Sequence, residues 1–193
     1  MPPEVYIVIL LFHLVAFLFM AAPLYALLAV NERGRFTVPP NYNTDRYLEN
    51  IIKNQPIRCW AYLSVILVTG VLLTGNSGWI WGQWAVIVKL VATGALAGLL
   101  GYVHFGIQPH VEQVMDKIGP GEEVSADDRP TLLRWRGRRK RLAGICLFLV
   151  MTALVMGVRV TFGYAPWLAV VFVVASALFA WRVYRSPLRL GWF

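Results

Sequence analysis

Five long apolar runs, separated by blocks that hold nearly all of the charge, organise this chain. They cover residues 5–30, 57–74, 83–107, 142–158 and 165–181. Each has about 17 to 26 residues, the length an α-helix needs to cross a hydrocarbon core of roughly 30 Å. None shows the two-residue alternation or the shorter length of a transmembrane barrel strand. The pattern predicts an all-α fold, a polytopic transmembrane helical bundle of five spans, forming a single integral membrane domain over residues 1–193.

Composition agrees. Apolar residues make up 58% of the chain and charged residues only 15%, where a soluble domain carries about a quarter charged. The first run lacks a basic start and a small-x-small cleavage site, and it is too long for a signal peptide. It is therefore expected to stay as the first span. The two cysteines show no disulfide pattern. Orientation follows from the basic residues. With 31–56, 108–141 and 182–193 on one side, that side holds 16 of the 18 Lys and Arg, counting Arg58 at a helix mouth. The other side keeps only Arg159, and Lys89 lies within a span. The positive-inside rule assigns the crowded side, hereafter the inner side, to the cytoplasm. The N-terminus is then outside and the C-terminus inside, and a bacterial cytoplasmic (inner) membrane is the expected location. The net charge of +8 is a topology signal and does not point to nucleic acid.

The outer connections, 75–82 and 159–164, are short, which predicts that spans two and three, and spans four and five, are antiparallel neighbours. Trp79, Trp81, Trp84 and Trp167 gather at outer span ends, where interfacial anchoring is a simpler role than ligand stacking. The inner connection 31–56 opens with the turn-rich Thr37-Val-Pro-Pro-Asn-Tyr-Asn. Tyr47, Leu48, Ile51 and Ile52 then recur at helical spacing and predict a short amphipathic helix at the surface. The connection 108–141 reads as a loop with an acidic part at 121–128 and a basic run, Arg134-Trp-Arg-Gly-Arg-Arg-Lys-Arg. Abutting a span, those arginines are expected to hold topology and to meet anionic lipid headgroups. In span three, Gly94 and Gly98 form a small-residue face expected to admit close helix packing.

Few residues within the runs carry chemistry. Lys89 stands in Trp84-Ala-Val-Ile-Val-Lys-Leu-Val-Ala, where a lysine costs on the order of 3 kcal/mol unless it snorkels or finds a partner. Spans one and three run in the same direction, with His13 ~12 Å into the first and Lys89 ~9 Å into the third at 1.5 Å per residue. The two fall in one membrane layer and can share a pocket, with Thr69 of span two and Met156 of span four at a similar depth. A neutral imidazole is a ready haem or metal ligand, and the lysine can meet an anionic group of a bound molecule. The competing reading has His13 hydrogen-bonded within the bundle and Lys89 snorkelling toward Trp84 and the headgroups. A second group, Cys59, His104, His110 and Cys146, lies near the inner face and has the donor types of a tetrahedral metal site. Its spacings match no metal motif, and structural cysteines with capping histidines are the alternative. His13 and His104 lie toward opposite faces and do not form a bis-histidine pair. Asp and Glu are absent from the five runs, which argues against a carboxylate proton relay.

Four stretches follow one order along the chain: Phe12-His13, Tyr47-Leu-Glu-Asn-Ile-Ile-Lys, Leu67-Val-Thr-Gly-Val-Leu-Leu and Trp84-Ala-Val-Ile-Val-Lys-Leu. Over roughly residues 5–109 this order resembles the haem-binding membrane protoporphyrinogen oxidases of the non-flavin type and the related membrane domain of copper-resistance D proteins. The resemblance implies a haem-binding membrane redox protein. His13 would bind the haem iron, Lys89 would engage a propionate or the substrate, and a membrane quinone would be the electron partner. Two other classes stay open. One is a non-catalytic transmembrane subunit of a larger membrane complex, meeting partners or copies of itself through the Gly94/Gly98 face and the aromatic rims. The other is a copper-handling membrane protein, which the scattered methionines do little to support.

Overall fold

The computed structural model describes residues 1–32, 42–77, 81–118 and 125–185, without the side chains of 26–32, 42–45, 48 and 185. Trp79, the start of the turn-rich piece at 37–41 and the acidic stretch 121–124 lie outside the described residues. The described chain is helical: α1 (Pro3–Glu32), α2 (Tyr42–Lys53), α3 (Gln55–Asn76), α4 (Trp84–Gly101), a π-helical segment (Tyr102–Ile107), α5 (Gln108–Met115), α6 (Asp128–Phe162) and α7 (Pro166–Arg185). Five stretches are long and apolar enough to cross a membrane: Pro3–Tyr25, Glu49–Asn76, Trp84–Met115, Asp128–Phe162 and Pro166–Tyr184. The protein is an integral membrane protein with five helical spans.

Local sequence sets the helix boundaries. Pro56 sits in the first turn of α3, where its missing N–H costs nothing. Pro109 opens α5 directly after the π-helical segment. A proline inside a continuous helix removes one hydrogen bond and crowds the carbonyl four residues back. Widening to i→i+5 pairing just upstream accommodates this, and the Gln108 N–H accordingly bonds the Val103 carbonyl. Gly163 ends α6 in the left-handed region at φ 64°, and its N–H bonds the Arg159 carbonyl at 2.8 Å. Only glycine takes that conformation without strain.

The bundle is built on two main seams, α1 against α3 and α4 against α6, with α7 closing on α6 and α6 reaching α1. Ala16 and Met20 of α1 pack with Leu63 and Ile66 of α3, Leu96 of α4 and Cys146 and Val150 of α6. The expected neighbour pair of spans four and five is present. Spans two and three share little packing despite their short link: the buried side of α3 faces α1, and that of α4 faces α6. The face of Gly94 and Gly98 is also not a packing face within the chain. Both are exposed, and a Cβ at either would meet nothing within 4 Å. Close approach falls instead at Gly144, where a Cβ would stand 3.2 Å from the Cβ of Tyr184 on α7. Gly144→Ala should therefore cost about 1–3 kcal/mol by overpacking, read as a lower melting temperature in detergent.

The inner side differs most from expectation. Residues 108–141 are not mainly a loop, because α5 and a long inner extension of α6 occupy them. Leu132, Trp135, Arg136, Arg139 and Ala143 recur every three to four residues and form the inward side of that extension, while arginine and lysine are good helix formers. The helix α2 is present as expected, and what the sequence did not show is the side it turns to the bundle. Tyr47 and Ile51 face away from the bundle, whereas Glu49 is 0% exposed and Ile52 is buried.

Candidate functional site

Four of the spanning helices converge on one cluster in the outer half of the bundle. His13 of α1 is 6% exposed. Its Nδ1 lies 2.8 Å from Thr69 Oγ1 on α3, and its Nε2 lies 3.3 Å from Lys89 Nζ on α4. The Thr69 hydroxyl has one proton, and the Val65 carbonyl stands 2.6 Å away to accept it. His13 must then donate through Nδ1–H to the Thr69 oxygen, which leaves a lone pair on Nε2 to accept from the Lys89 amino group. The helix backbone holds the partners in place: Thr69 bonds back within α3, and Thr93 Oγ1 donates to the Lys89 carbonyl at 2.8 Å.

Two glycines line this cluster. A Cβ at Gly70 would touch His13 Cε1 at 3.5 Å, and a Cβ at Gly157 of α6 would lie 3.7 Å from Lys89 Nζ. α6 thus presents backbone to the amine at Gly157, while α3 meets the imidazole with both Gly70 and the Thr69 side chain. Lys89 does not snorkel outward. Its Nζ turns toward His13 in the bundle. Thr69, read from the sequence as lying at the same depth, is the partner that fixes the imidazole. Met156 is buried at the α4–α6 seam, but against Ala85 and Ala169.

The inner Cys/His group is not gathered into one ligand set. Among the described residues, no three of His, Cys, Asp and Glu come together as a metal site. Cys59 and Cys146 are buried free thiols, and Cys59 Sγ faces the Met20 carbonyl at 4.0 Å. His110 donates through Nδ1 to the Gly106 carbonyl at 2.8 Å and stacks on Trp135 at 4.2 Å. His104 meets Phe105 edge-on at 4.7 Å. The physical reason is the helix register. The π-helical turn and Pro109 separate the two histidines in environment, and the cysteines face the apolar core.

A charged network in the inner half was not legible in the pattern. Glu49 of α2 is paired through both oxygens by Arg139 of α6, and Arg136 Nη2 donates to Glu49 Oε2 at 3.1 Å. Arg139 also donates to Gln108 Oε1 at 3.0 Å, and Gln108 passes a bond to Glu112 at 3.1 Å. Glu112 in turn pairs with Lys53 at 2.9 Å. The basic run is therefore divided. Arg136 and Arg139 are spent on this network, while Arg134, Arg138 and Arg141 are exposed at i, i+4 and i+7, one face of the helix. A signal was available in the sequence: Glu49 is the acidic residue on the α2 face opposite Tyr47 and Ile51.

At the outer rim the guanidinium of Arg159 lies over the Trp84 ring at 4.8 Å and the Tyr164 ring at 5.7 Å. Trp84 thus holds a cation as well as standing at an outer span end. Trp167 is exposed at the start of α7, as an interfacial anchor would be.

No protein-family model, curated protein or solved structure matches this chain. The chemistry of the site therefore rests on its own residues.

Proposed function

We propose that the protein is a haem-binding redox protein of its membrane, similar to the non-flavin protoporphyrinogen oxidases, in which His13 would hold the haem iron. The observation that supports this reading is the meeting of His13 and Lys89. The resemblance singles out both, they lie 76 positions apart in sequence, and their side-chain nitrogens come within 3.3 Å in a buried layer. The donor set suits the group. An imidazole anchored through Nδ1–H and carrying its lone pair on Nε2 is the arrangement metal-ligating histidines adopt.

Haem held there supplies reversible one-electron chemistry. The chain's own contributions are then distinct. Thr69 fixes the tautomer and plane of His13. Lys89 Nζ lies 3.3 Å from Nε2; with haem held by His13 it would yield that lone pair, and its amino group would be placed to meet a carboxylate of the bound group. The apolar surroundings exclude water, and a quinone in the bilayer is the natural electron partner. A bacterial cytoplasmic membrane fits the distribution of basic residues.

The test is an optical spectrum of gently solubilised protein, oxidised and then dithionite-reduced, with haem supplied. A Soret band that shifts on reduction and disappears in His13→Ala is the expected result. Wild-type protein without a Soret band after haem supplementation would sink the reading. A second reading, a non-catalytic subunit of a larger complex, draws on the exposed Gly94 and Gly98, a small-residue face suited to a partner helix. It predicts stoichiometric co-purification of another membrane protein, lost when Gly94 and Gly98 are both changed to leucine.

A further inference from the structure

The outer rim holds a cation that the His13–Lys89 cluster does not touch. Arg159 stands in the last turn of α6. Trp84, which opens α4, and Tyr164, just before α7, frame its guanidinium at 4.8 Å and 5.7 Å. The frame is itself held. The Tyr164 hydroxyl donates to the Val155 carbonyl at 2.8 Å, and its ring meets Phe172 edge-on. One step deeper, Ala85, Met156 and Ala169 close the junction of α4, α6 and α7. Within this setting Arg159 makes no hydrogen bond or ion pair among the described residues, and its Nη1 is buried without an acceptor. The C-terminus of α6 favours a cation there but gives that N–H no oxygen. An arginine that only anchors a helix end extends its fork into water. Arg159 is instead half-buried against two rings, and a guanidinium held in one plane is a two-pronged donor to an oxyanion.

Position selects among oxyanions. Arg159, Trp84 and Tyr164 lie at the outer ends of spans, the level of lipid headgroups. Below them Trp84, Ile87 and Val91 of α4 are exposed at i, i+3 and i+7, one apolar stripe that runs ~10 Å into the membrane layer. An anion at the rim with an apolar track beneath it matches a phospholipid better than a soluble ion. Charge selects the headgroup. Among residues 1–4, 75–82 and 159–164 the one carboxylate is Glu4, on α1. A zwitterionic lipid would therefore set its ammonium beside the guanidinium with no acidic partner from α4, α6 or α7. We propose that Arg159, framed by Trp84 and Tyr164, binds the phosphodiester of an anionic phospholipid of the outer leaflet, with phosphatidylglycerol as the representative. The inference is independent of the haem reading, since it uses neither His13 nor Lys89.

Native mass spectrometry of the full chain in a neutral detergent tests it, with phosphatidylglycerol, phosphatidylethanolamine and inorganic phosphate as probes. The exposed inner arginines also attract anionic lipid, so the reference protein carries Arg134→Gln, Arg138→Gln and Arg141→Gln. It should bind one phosphatidylglycerol at least tenfold more tightly than phosphatidylethanolamine, the scale of one hydrogen bond to a charged group. Excess inorganic phosphate should not displace that lipid. Adding Arg159→Gln should remove the preference, and Arg159→Lys should keep part of it. Trp84→Leu should weaken binding about threefold, the worth of one cation–π contact. In the otherwise unaltered chain, Arg159→Gln should remove one phosphatidylglycerol from the retained set. Equal affinity for the two lipids in the reference protein, or a preference that survives Arg159→Gln, would overturn the proposal. Displacement by inorganic phosphate would overturn it too, by assigning Arg159 to a soluble anion. The comparison of the two lipids needs no change at Arg159, so a variant that fails to fold does not remove the test.

Discussion

Glu49→Ala should destabilise the protein by about 3–5 kcal/mol, the range for removing one partner of a buried ion pair. Glu49 is 0% exposed and Arg139 3%, so the guanidinium left behind keeps Gln108 as its acceptor and cannot rehydrate. Arg136 loses the same carboxylate. The removed group does more than fill space, because it ties α2 to α6 across the inner end of the bundle. The loss should appear as a lower melting temperature and as faster proteolysis near α2. Pairing Glu49→Ala with Arg139→Met should recover part of the loss, since the second change removes the stranded charge. Asp116→Ala is the internal control. It breaks the pair with Arg46, but the Asp116 side chain is 62% exposed, and its change should stay within about 1 kcal/mol. If Glu49→Ala costs no more than Asp116→Ala, the buried carboxylate does not hold α2 in place.

The contrast between these two pairs also marks how far sequence carried the structure. The spans were legible because a bilayer imposes one requirement, a long apolar helix, which each run meets by itself. The depth of His13, Thr69 and Lys89 was legible for a related reason: helical rise converts residue count directly into depth. Lateral arrangement has no such local code. Which helix Gly94 and Gly98 face depends on the rotation of α4, and that is set by the fit of Ala85, Ala92 and Leu96 against their neighbours. The same holds for α2. Its apolar residues predicted a helix lying on its greasy face. The carboxylate at 49 finds two arginines on a helix distant in sequence, and that long-range pairing turns the other face inward. Arg136 and Arg139 could not be told from Arg134, Arg138 and Arg141 by composition, since only the phase of α6 separates them. His13 and Lys89 were candidates from their cost within apolar runs, whereas the role of Thr69 required knowing where the imidazole points.

Thr69→Val separates a histidine that is merely packed from one oriented as a ligand. Valine keeps the shape of threonine and removes the acceptor 2.8 Å from His13 Nδ1. The buried N–H then loses its side-chain acceptor and keeps only the neighbouring Ile66 carbonyl, which should lower stability by about 0.5–1.5 kcal/mol. Under the haem reading a larger effect follows. Without Thr69 the ring is free to change tautomer or rotate, and loss of such an orienting partner costs about 10–100-fold in metal affinity. Haem titration of Thr69→Val should therefore show a Soret band that saturates at correspondingly higher haem concentration, and Thr69→Ser should restore most of the affinity. The pair also predicts non-additivity. In a His13→Ala background the threonine has no imidazole left to orient, so adding Thr69→Val should change haem binding little further. A Thr69→Val protein that is less stable yet binds haem as wild type does would leave the hydroxyl as a packing partner of α1 and α3 and remove its part in ligation. Equal and additive losses from the two changes would mean that His13 and Thr69 act on haem separately, which the 2.8 Å hydrogen bond argues against.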